Sequence, residues 1–245
     1  MVKKVFIILP FLFFIFHDVS YAAFNVSIPG VTENSGPEGV ATSIKIMLLL
    51  TVLSVAPAIL LLMTSFTRIV IVLSFVRTSL GTQQMPPNQV IIGLSLFLTL
   101  FIMGPVFSDI HKQAYQPFME GKISQEQAFK TASQPIKEFM AKHTREKDLN
   151  LFLDYAKEKK PKQIDDIPLH VLVPAYSISE LKTAFQMGFM IFLPFLIIDM
   201  IVSSILMAMG MMMLPPVLIS LPFKILLFIL VDGWHLIIKS LLTSF

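Results

Sequence analysis

Residues 185–216 read FQMGFMIFLPFLIIDMIVSSILMAMGMMMLPP, and this stretch decides the fold. Phe185 to Met209 approaches the roughly 20 apolar residues a helix needs to cross a hydrocarbon core. Pro194 and Asp199 lie inside it, and both are costly in lipid. The stretch ends on a corner: five methionines fall between Met207 and Met213, with Gly210 among them and Pro215-Pro216 just beyond. Glycine and the proline pair break the helix on either side. Methionine is unbranched and polarizable, and it fills irregular gaps without demanding one shape. The corner reads either as an ordinary hairpin turn or as a soft apolar seal that deforms around something passing through.

Three further apolar segments share this character: Ile44 to Phe66, Val90 to Phe107 and Val217 to Ile238. Pro57 is expected to interrupt the first and Gly104-Pro105 to end the second. Pro194 is expected to break the third and Pro222 the fourth. Proline removes a backbone donor and frees a carbonyl, and in lipid those groups need protein partners. Lys224 and Asp232 place two more charges in the fourth segment. Each buried charge costs about 2.5–3.5 kcal/mol on insertion unless paired or hydrated. Breaks and charges together imply that much of this apolar surface faces other protein, as in one subunit of a larger assembly.

Composition agrees. The 245 residues are 55% hydrophobic and only 14% charged, where a soluble domain carries about 25% charge. Mean hydropathy is +0.75. The chain is an integral membrane protein. It contains no cysteine, so disulfide frameworks and thiolate metal sites are excluded. Net charge is +3, and no Lys/Arg run is long enough to suggest nucleic acid.

The N-terminal end reads as a signal peptide. Lys3 and Lys4 form a positive region, Val5 to Phe16 a short apolar core, and Ser20-Tyr21-Ala22 a cleavage site. Residues 1–22 are therefore expected to be a cleaved signal and 23–43 an exposed leader outside the cytoplasm. Alternation from there gives a first apolar hairpin at 44–108 and a helical extracytoplasmic region at 109–184. A second apolar hairpin with the Met-rich turn follows at 185–245. Arg68 and Arg77 then fall on the cytoplasmic side.

Local signals fill in the helices. Thr67 to Leu80 reads as a helix capped by Gly81, and Pro86-Pro87-Asn88 opens the next. Ser124 and Gln127 form a capping box, followed by Phe129, Ile136, Phe139 and Met140 at helical spacing, with Pro135 as a kink. A second extracytoplasmic helix starts near Thr144, with Glu146 and Asp148 at its positive end. Leu149, Phe152, Leu153 and Ala156 form its apolar face, and Pro161 ends it. Ser177-Ile178-Ser179-Glu180 reads as another capping box, launching the third apolar segment. His170 to Val173 is the one candidate strand.

Catalytic chemistry lacks its parts. His17, His111, His143, His170 and His235 make no metal-binding spacing. There is no phosphate-cradling glycine loop and no nucleophile elbow. No cofactor, metal or enzymatic activity is expected. One constellation stands out: a helical rise of about 1.5 Å per residue puts Asp199 and Lys224 each about 15–20 Å from the Met turn. They share a depth and can pair across the hairpin. The alternatives are proton conduction, or a shared-proton dyad of Asp199 and Asp232.

Several motifs together resemble one family. They are Leu62-Met63-Thr64-Ser65-Phe66-Thr67-Arg68, Leu80-Gly81-Thr82 with Pro86-Pro87-Asn88-Gln89, and Ala114-Tyr115-Gln116-Pro117-Phe118. Thr144-Arg145-Glu146, Pro174-Ala175-Tyr176 and Ser179 to Phe185 add to them, as do Phe192 to Asp199 and Met209 to Pro216. Pro222-Phe223-Lys224 and Val231-Asp232-Gly233-Trp234 complete the set. The chain is identified as a member of the FliP family, whose injectisome relatives are of the SctR type.

The resemblance implies an all-α membrane protein of bent, Pro-broken helical hairpins with a helical extracytoplasmic region, assembling into a helical channel complex. It implies a pore-forming subunit of the flagellar type III export gate in the bacterial inner membrane, at the basal body, with a periplasmic portion. Implied partners are further copies of the chain (a pentamer in the family), FliQ-like and FliR-like subunits, and FlhA-like and FlhB-like apparatus proteins. Unfolded exported polypeptides are the implied cargo. By motif match, Met209, Met211, Met212 and Met213 would form or support a gasket at the constriction. Asp199, Lys224 and Asp232 would be structural intramembrane charges. Competing classes are a membrane enzyme and a stand-alone ion channel.

Overall fold

In the computed structural model of the protein, residues 37–82, 85–158, 161, 163–211 and 214–245 are described. The signal peptide at 1–22, the leader up to residue 36, and Met212 and Met213 lie outside them. Every long element is a helix: α1 Pro37–Leu62, α2 Phe66–Leu80, α3 Asn88–Ile110, α4 Gln116–Met119 and α5 Gln125–His143. Then come α6 Glu146–Ala156, α7 Leu169–Ala208, α8 Pro216–Leu230 and α9 Gly233–Thr243. A π-helical segment, His111–Tyr115, joins α3 to α4, and a 3-10 turn covers Ile164–Asp166. The protein is all-α, and no strand occurs among the described residues.

The chain divides into two units at Ser54 and Val55. The described part of the first is the front of α1, whose apolar side chains Ile44, Met47 to Leu50, Val52 and Leu53 are exposed. In the second unit, α2 and α7 make the main packing, and α5, α6 and α8 also lie on α7. The core between them is Ile69, Val72, Leu73 and Val76 of α2 with Ala184 and Phe195 of α7. On α3, Ile91, Ser95, Thr99 and Met103 form a buried stripe at four-residue spacing. Ser95 and Thr99 turn their hydroxyls back to Ile91 O and Ser95 O, both at 2.7 Å. Small hydroxylated residues suit such seams because they bring helix backbones close without stranding a polar group.

Gly81 caps α2 at φ 71°, and the Ser124–Gln127 capping box is fully formed. The helix expected near Thr144 begins at Glu146. It ends at Ala156, where Lys157 takes a left-handed φ of 55°, and so stops short of Pro161.

The prolines behave differently from expectation. Pro57, Pro105, Pro194 and Pro222 all lie inside continuous helices. An interior proline costs one hydrogen bond and about 3 kcal/mol. In an apolar segment, ending the helix would strand many more backbone groups. The real breaks fall elsewhere. At Met63-Thr64-Ser65, the Thr64 hydroxyl donates to Leu61 O at 2.9 Å and accepts from Phe66 N at 3.4 Å. Those contacts compete with the helical ladder. Between α8 and α9 the axis turns by 62°, around an Asp232 held at φ 49°.

The expected capping box at Ser177–Glu180 is corrected. Helix α7 already starts at Leu169, after Pro168, and runs 40 residues to Ala208. Ser177 and Ser179 bond back to Val173 O and Ala175 O inside it. The candidate strand at His170 to Val173 is the first turn of the same helix. Among the described residues, Asn88–Met119 and Leu169–Ala208 are long and apolar enough to cross a membrane, and the bent pair Pro216–Thr243 makes a third if counted as one. The described apolar part of the first segment, Ile44–Ile59, is shorter.

Candidate functional site

Three features on α7 and its neighbours concentrate the unusual chemistry. The first is the corner between α7 and α8. Helix α7 ends in a Schellman arrangement: Gly210 N donates to Met207 O and Met211 N to Leu206 O, both at 3.0 Å. Gly210 occupies the left-handed position at φ 71°, where a side chain would strain the backbone. The turn throws its methionines outward: Met207, Met209 and Met211 are exposed at 59%, 66% and 38%. Pro215 and Pro216 start α8 directly after it. The corner is thus short, apolar and held from behind by its own backbone.

The second feature sits about 15 Å back along the hairpin, by helical rise from Met209. Lys224 Nζ lies 2.7 Å from Asp199 Oδ2, across α7 and α8. Ser220 Oγ donates to Asp199 Oδ1 at 2.5 Å. Lys224 Nζ also donates to Ser79 O at 3.2 Å, in the last turn of α2. A cation there meets the negative end of the α2 dipole and satisfies a carbonyl the helix leaves free. One ammonium therefore ties three helices. Lys224 is 3% exposed and Asp199 23%. With both Asp199 oxygens occupied, nothing in this geometry favours a proton shared with Asp232. Asp232 is exposed at the α8–α9 bend, and it forms no ion pair among the described residues.

The third feature was not visible in the sequence pattern. Arg68, at the start of α2, forms a bidentate pair with Glu180 of α7. Its remaining nitrogen, Nη1, donates to Ser244 O at 2.7 Å and to Ser244 Oγ at 3.0 Å. The guanidinium carbon lies 3.9 Å from the centre of the Phe245 ring. Beside it, Tyr176 Oη donates to Thr64 O at 2.9 Å, which pins the α1–α2 break to α7. The available signal was cost: an arginine and a glutamate, each at the edge of an apolar run, each need a partner.

Next to this cluster, Ser179 Oγ donates to Asp148 Oδ2 at 2.6 Å. Arg145 Nη2 lies 2.5 Å from the same oxygen. Burial raises the Asp148 carboxyl, but the Ser179 hydroxyl and the Arg145 guanidinium outweigh it and hold it below its ordinary value.

Large apolar side chains remain uncovered on both faces of the long helices, Phe97, Phe101, Met190 and Leu230 among them. An apolar groove of about 680 Å³ opens between α7 and the bent α8–α9 pair. Buried charge clusters inside and bare apolar flanks outside define the class: an all-α membrane protein.

Comparison with known proteins narrows the class to one family. A model of the FliP family matches residues 49–241. The chain is 69% identical over 215 residues to the flagellar biosynthetic protein FliP of Bacillus subtilis (strain 168), covering 88% of this chain and 97% of that protein. It is 52% identical over 221 residues to the FliP of Pectobacterium carotovorum subsp. carotovorum, covering 89% and 86%. It is 45% identical over 249 residues to that of Borreliella burgdorferi (strain ATCC 35210 / DSM 4680 / CIP 102532 / B31), covering 96% and 98%. The chain belongs to the FliP family and is a component of flagellar biosynthesis and protein export.

Proposed function

We propose that this chain is a pore-forming subunit of the flagellar type III export gate, and that its Met turn is a deformable gasket around passing polypeptide. The observation that carries this reading is the α7–α8 corner, where apolar, flexible side chains project from a backbone fixed by the Gly210 cap. A ring of such corners, one from each copy, would exclude water from a narrow apolar constriction. Methionine's soft torsions let the ring yield to different side chains and close again behind them. The Asp199–Lys224–Ser79 tie would keep the hairpin from splaying as the tip deforms.

In this reading several copies assemble with FliQ-like and FliR-like subunits, and their neighbours cover the bare apolar flanks. The assembly sits in the bacterial inner membrane at the basal body, with 109–184 on the periplasmic side. FlhA-like and FlhB-like proteins would deliver the unfolded cargo. The role is mechanical and not enzymatic.

The test is a leak measurement on the assembled gate in proteoliposomes. Replacing Met211, Met212 and Met213 together by alanine should raise passive ion and small-solute leak while subunit composition stays unchanged. An unaltered leak in a fully assembled variant overturns the gasket. Failure of the chain to co-purify with FliQ-like and FliR-like subunits overturns the assembly itself.

A further inference from the structure

Helix α9 has two unlike faces. Gly233, Ile237 and Leu241 recur every four residues and are buried. Ile237 and Leu241 join the core that holds Ile69, Val72 and Leu73 of α2. On the other side, His235, Lys239 and Thr243 also recur every four residues, which keeps them on one line along the helix. All three are exposed, as is Asp232 at the entry to the helix. Ser240 is exposed beside the line, and Leu236 borders it.

This polar line lies in a segment that counts, together with α8, as one apolar span. Asp232, His235 and Lys239 form no ion pair among the described residues. Unpaired charge is costly against lipid, and inside membrane segments it faces a protein interior or a water-filled cavity. A lysine stem is long enough to lift its ammonium toward a bilayer surface. The short Asp232 side chain, nearer the Met corner along the hairpin, has no such reach. Other exposed faces are of the opposite kind: Phe97 and Phe101 on α3, Phe189 and Met190 on α7. The chain therefore has dry flanks and one wet line. Ser240 and Gln186 line the same groove, which carries the wet face from α9 onto α7.

We propose that the His235–Lys239–Thr243 line of α9, with Asp232 at its start, is a polar wall of the aqueous conduit that an unfolded polypeptide follows beyond the Met corner. The inference rests on the reading of the chain as a pore-forming subunit, and each copy in a ring contributes one such line. An extended polypeptide presents a backbone N–H and C=O at nearly every residue, with side chains of either charge. Asp232 and Lys239 offer both signs, about 10 Å apart by helical rise. The Thr243 and Ser240 hydroxyls both donate and accept hydrogen bonds. His235, Lys239 and Thr243 supply no apolar pocket in which a cargo side chain would lodge. The Met corner closes the path, and the α9 line keeps it hydrated without holding the cargo.

The chain has no cysteine, so single cysteines report position cleanly. The probe is an exported flagellar polypeptide with one cysteine, stalled in the assembled gate by a folded domain fused behind it. Mild oxidation then forms a disulfide wherever the two thiols meet. His235→Cys and Lys239→Cys should each capture the stalled chain several-fold better than Phe101→Cys or Met190→Cys on the dry flanks. Both α9 positions are exposed, and subunit composition of each variant confirms assembly; if one fails to assemble, the other carries the test. No capture at an assembled α9 position, or equal capture at Phe101→Cys, overturns the conduit wall. Capture at α9 with an unaltered leak in the Met variant keeps the wall and removes the gasket. A raised leak with no capture at α9 does the reverse.

Discussion

Arg68 and Glu180, 112 residues apart in sequence, meet in a bidentate ion pair: Nε to Oε2 at 2.8 Å and Nη2 to Oε1 at 2.5 Å. Their side chains are 3% and 0% exposed. Such a pair adds little net stability over well-packed apolar residues, but removing one partner leaves a buried charge unmatched. Arg68→Ala or Glu180→Ala should each cost about 3–5 kcal/mol. The double change Arg68→Met with Glu180→Leu should cost clearly less than either. Thermal unfolding of the purified protein in detergent reads the difference. Equal loss in the double variant would mean that the Ser244 and Phe245 contacts of Arg68, and not its charge pairing, dominate.

Gly188 of α7 packs directly against the Phe75 ring of α2. A Cβ built on it would lie 2.5 Å from two ring carbons of Phe75. Phe75 is itself held edge-on against Phe185, with ring centroids 5.5 Å apart, so it has little room to turn away. Gly188→Ala should destabilise by about 1–3 kcal/mol, the usual cost of overpacking. Adding Phe75→Leu should recover part of that loss in the same melting experiment. A fully tolerated Gly188→Ala would show that the Phe75 ring rotates freely.

Local signals survived best in the passage from sequence to structure, because they depend on nothing beyond a few residues. The Gly81 cap and the Ser124–Gln127 box are of this kind. Ser177 to Glu180 carries a box pattern like that of Ser124 to Gln127, yet only the latter caps a helix. The difference lies upstream. Gly121 takes a left-handed turn before Ser124, whereas Leu169 to Tyr176 before Ser177 already propagate a helix. The Asp199–Lys224 depth match was readable because a hairpin makes distance from its turn a coordinate. The Arg68–Glu180 contact had no such coordinate, since it joins elements with four helices, α3 to α6, between them. The prolines misled because a rule calibrated on soluble helices underrates the cost of ending a helix in an apolar medium.

Asp148 gives the fold an acid limit. Its folded-state pKa is depressed below the ordinary 3.8 by Ser179 and Arg145, which outweigh burial. A depressed carboxylate contributes stability that is present above its unfolded pKa and is lost as pH falls through the folded value. The docking of α6 on α7 should therefore hold through neutral and mildly acidic pH and weaken below about pH 4. Asp148→Asn should flatten this acid dependence while lowering stability at neutral pH. Hydrogen exchange of residues 146–156 across a pH series, corrected for intrinsic rates, checks both. An unchanged acid profile in Asp148→Asn would assign the effect to another carboxylate.

The sharpest test of how the hairpin is held is charge exchange at Asp199 and Lys224. Asp199→Lys alone sets two ammonium groups against each other. Lys224→Asp alone sets two carboxylates together and turns an acceptor toward Ser79 O, which the lysine now satisfies at 3.2 Å. The exchanged pair restores opposite charges, so it should be more stable and accumulate better in the membrane than either single variant. It should not reach the parent. The Ser220 hydroxyl that now donates to Asp199 at 2.5 Å would face a lysine, and the α2 carbonyl would lose its cation. The difference between exchange and parent thus reads the share held by those two neutral contacts, about 1 kcal/mol or more each for hydrogen bonds to a charged group. A double variant no better than the worse single would mean that the tie rests on the fixed positions of Lys224 against Ser79 and Asp199 against Ser220, and not on mutual attraction.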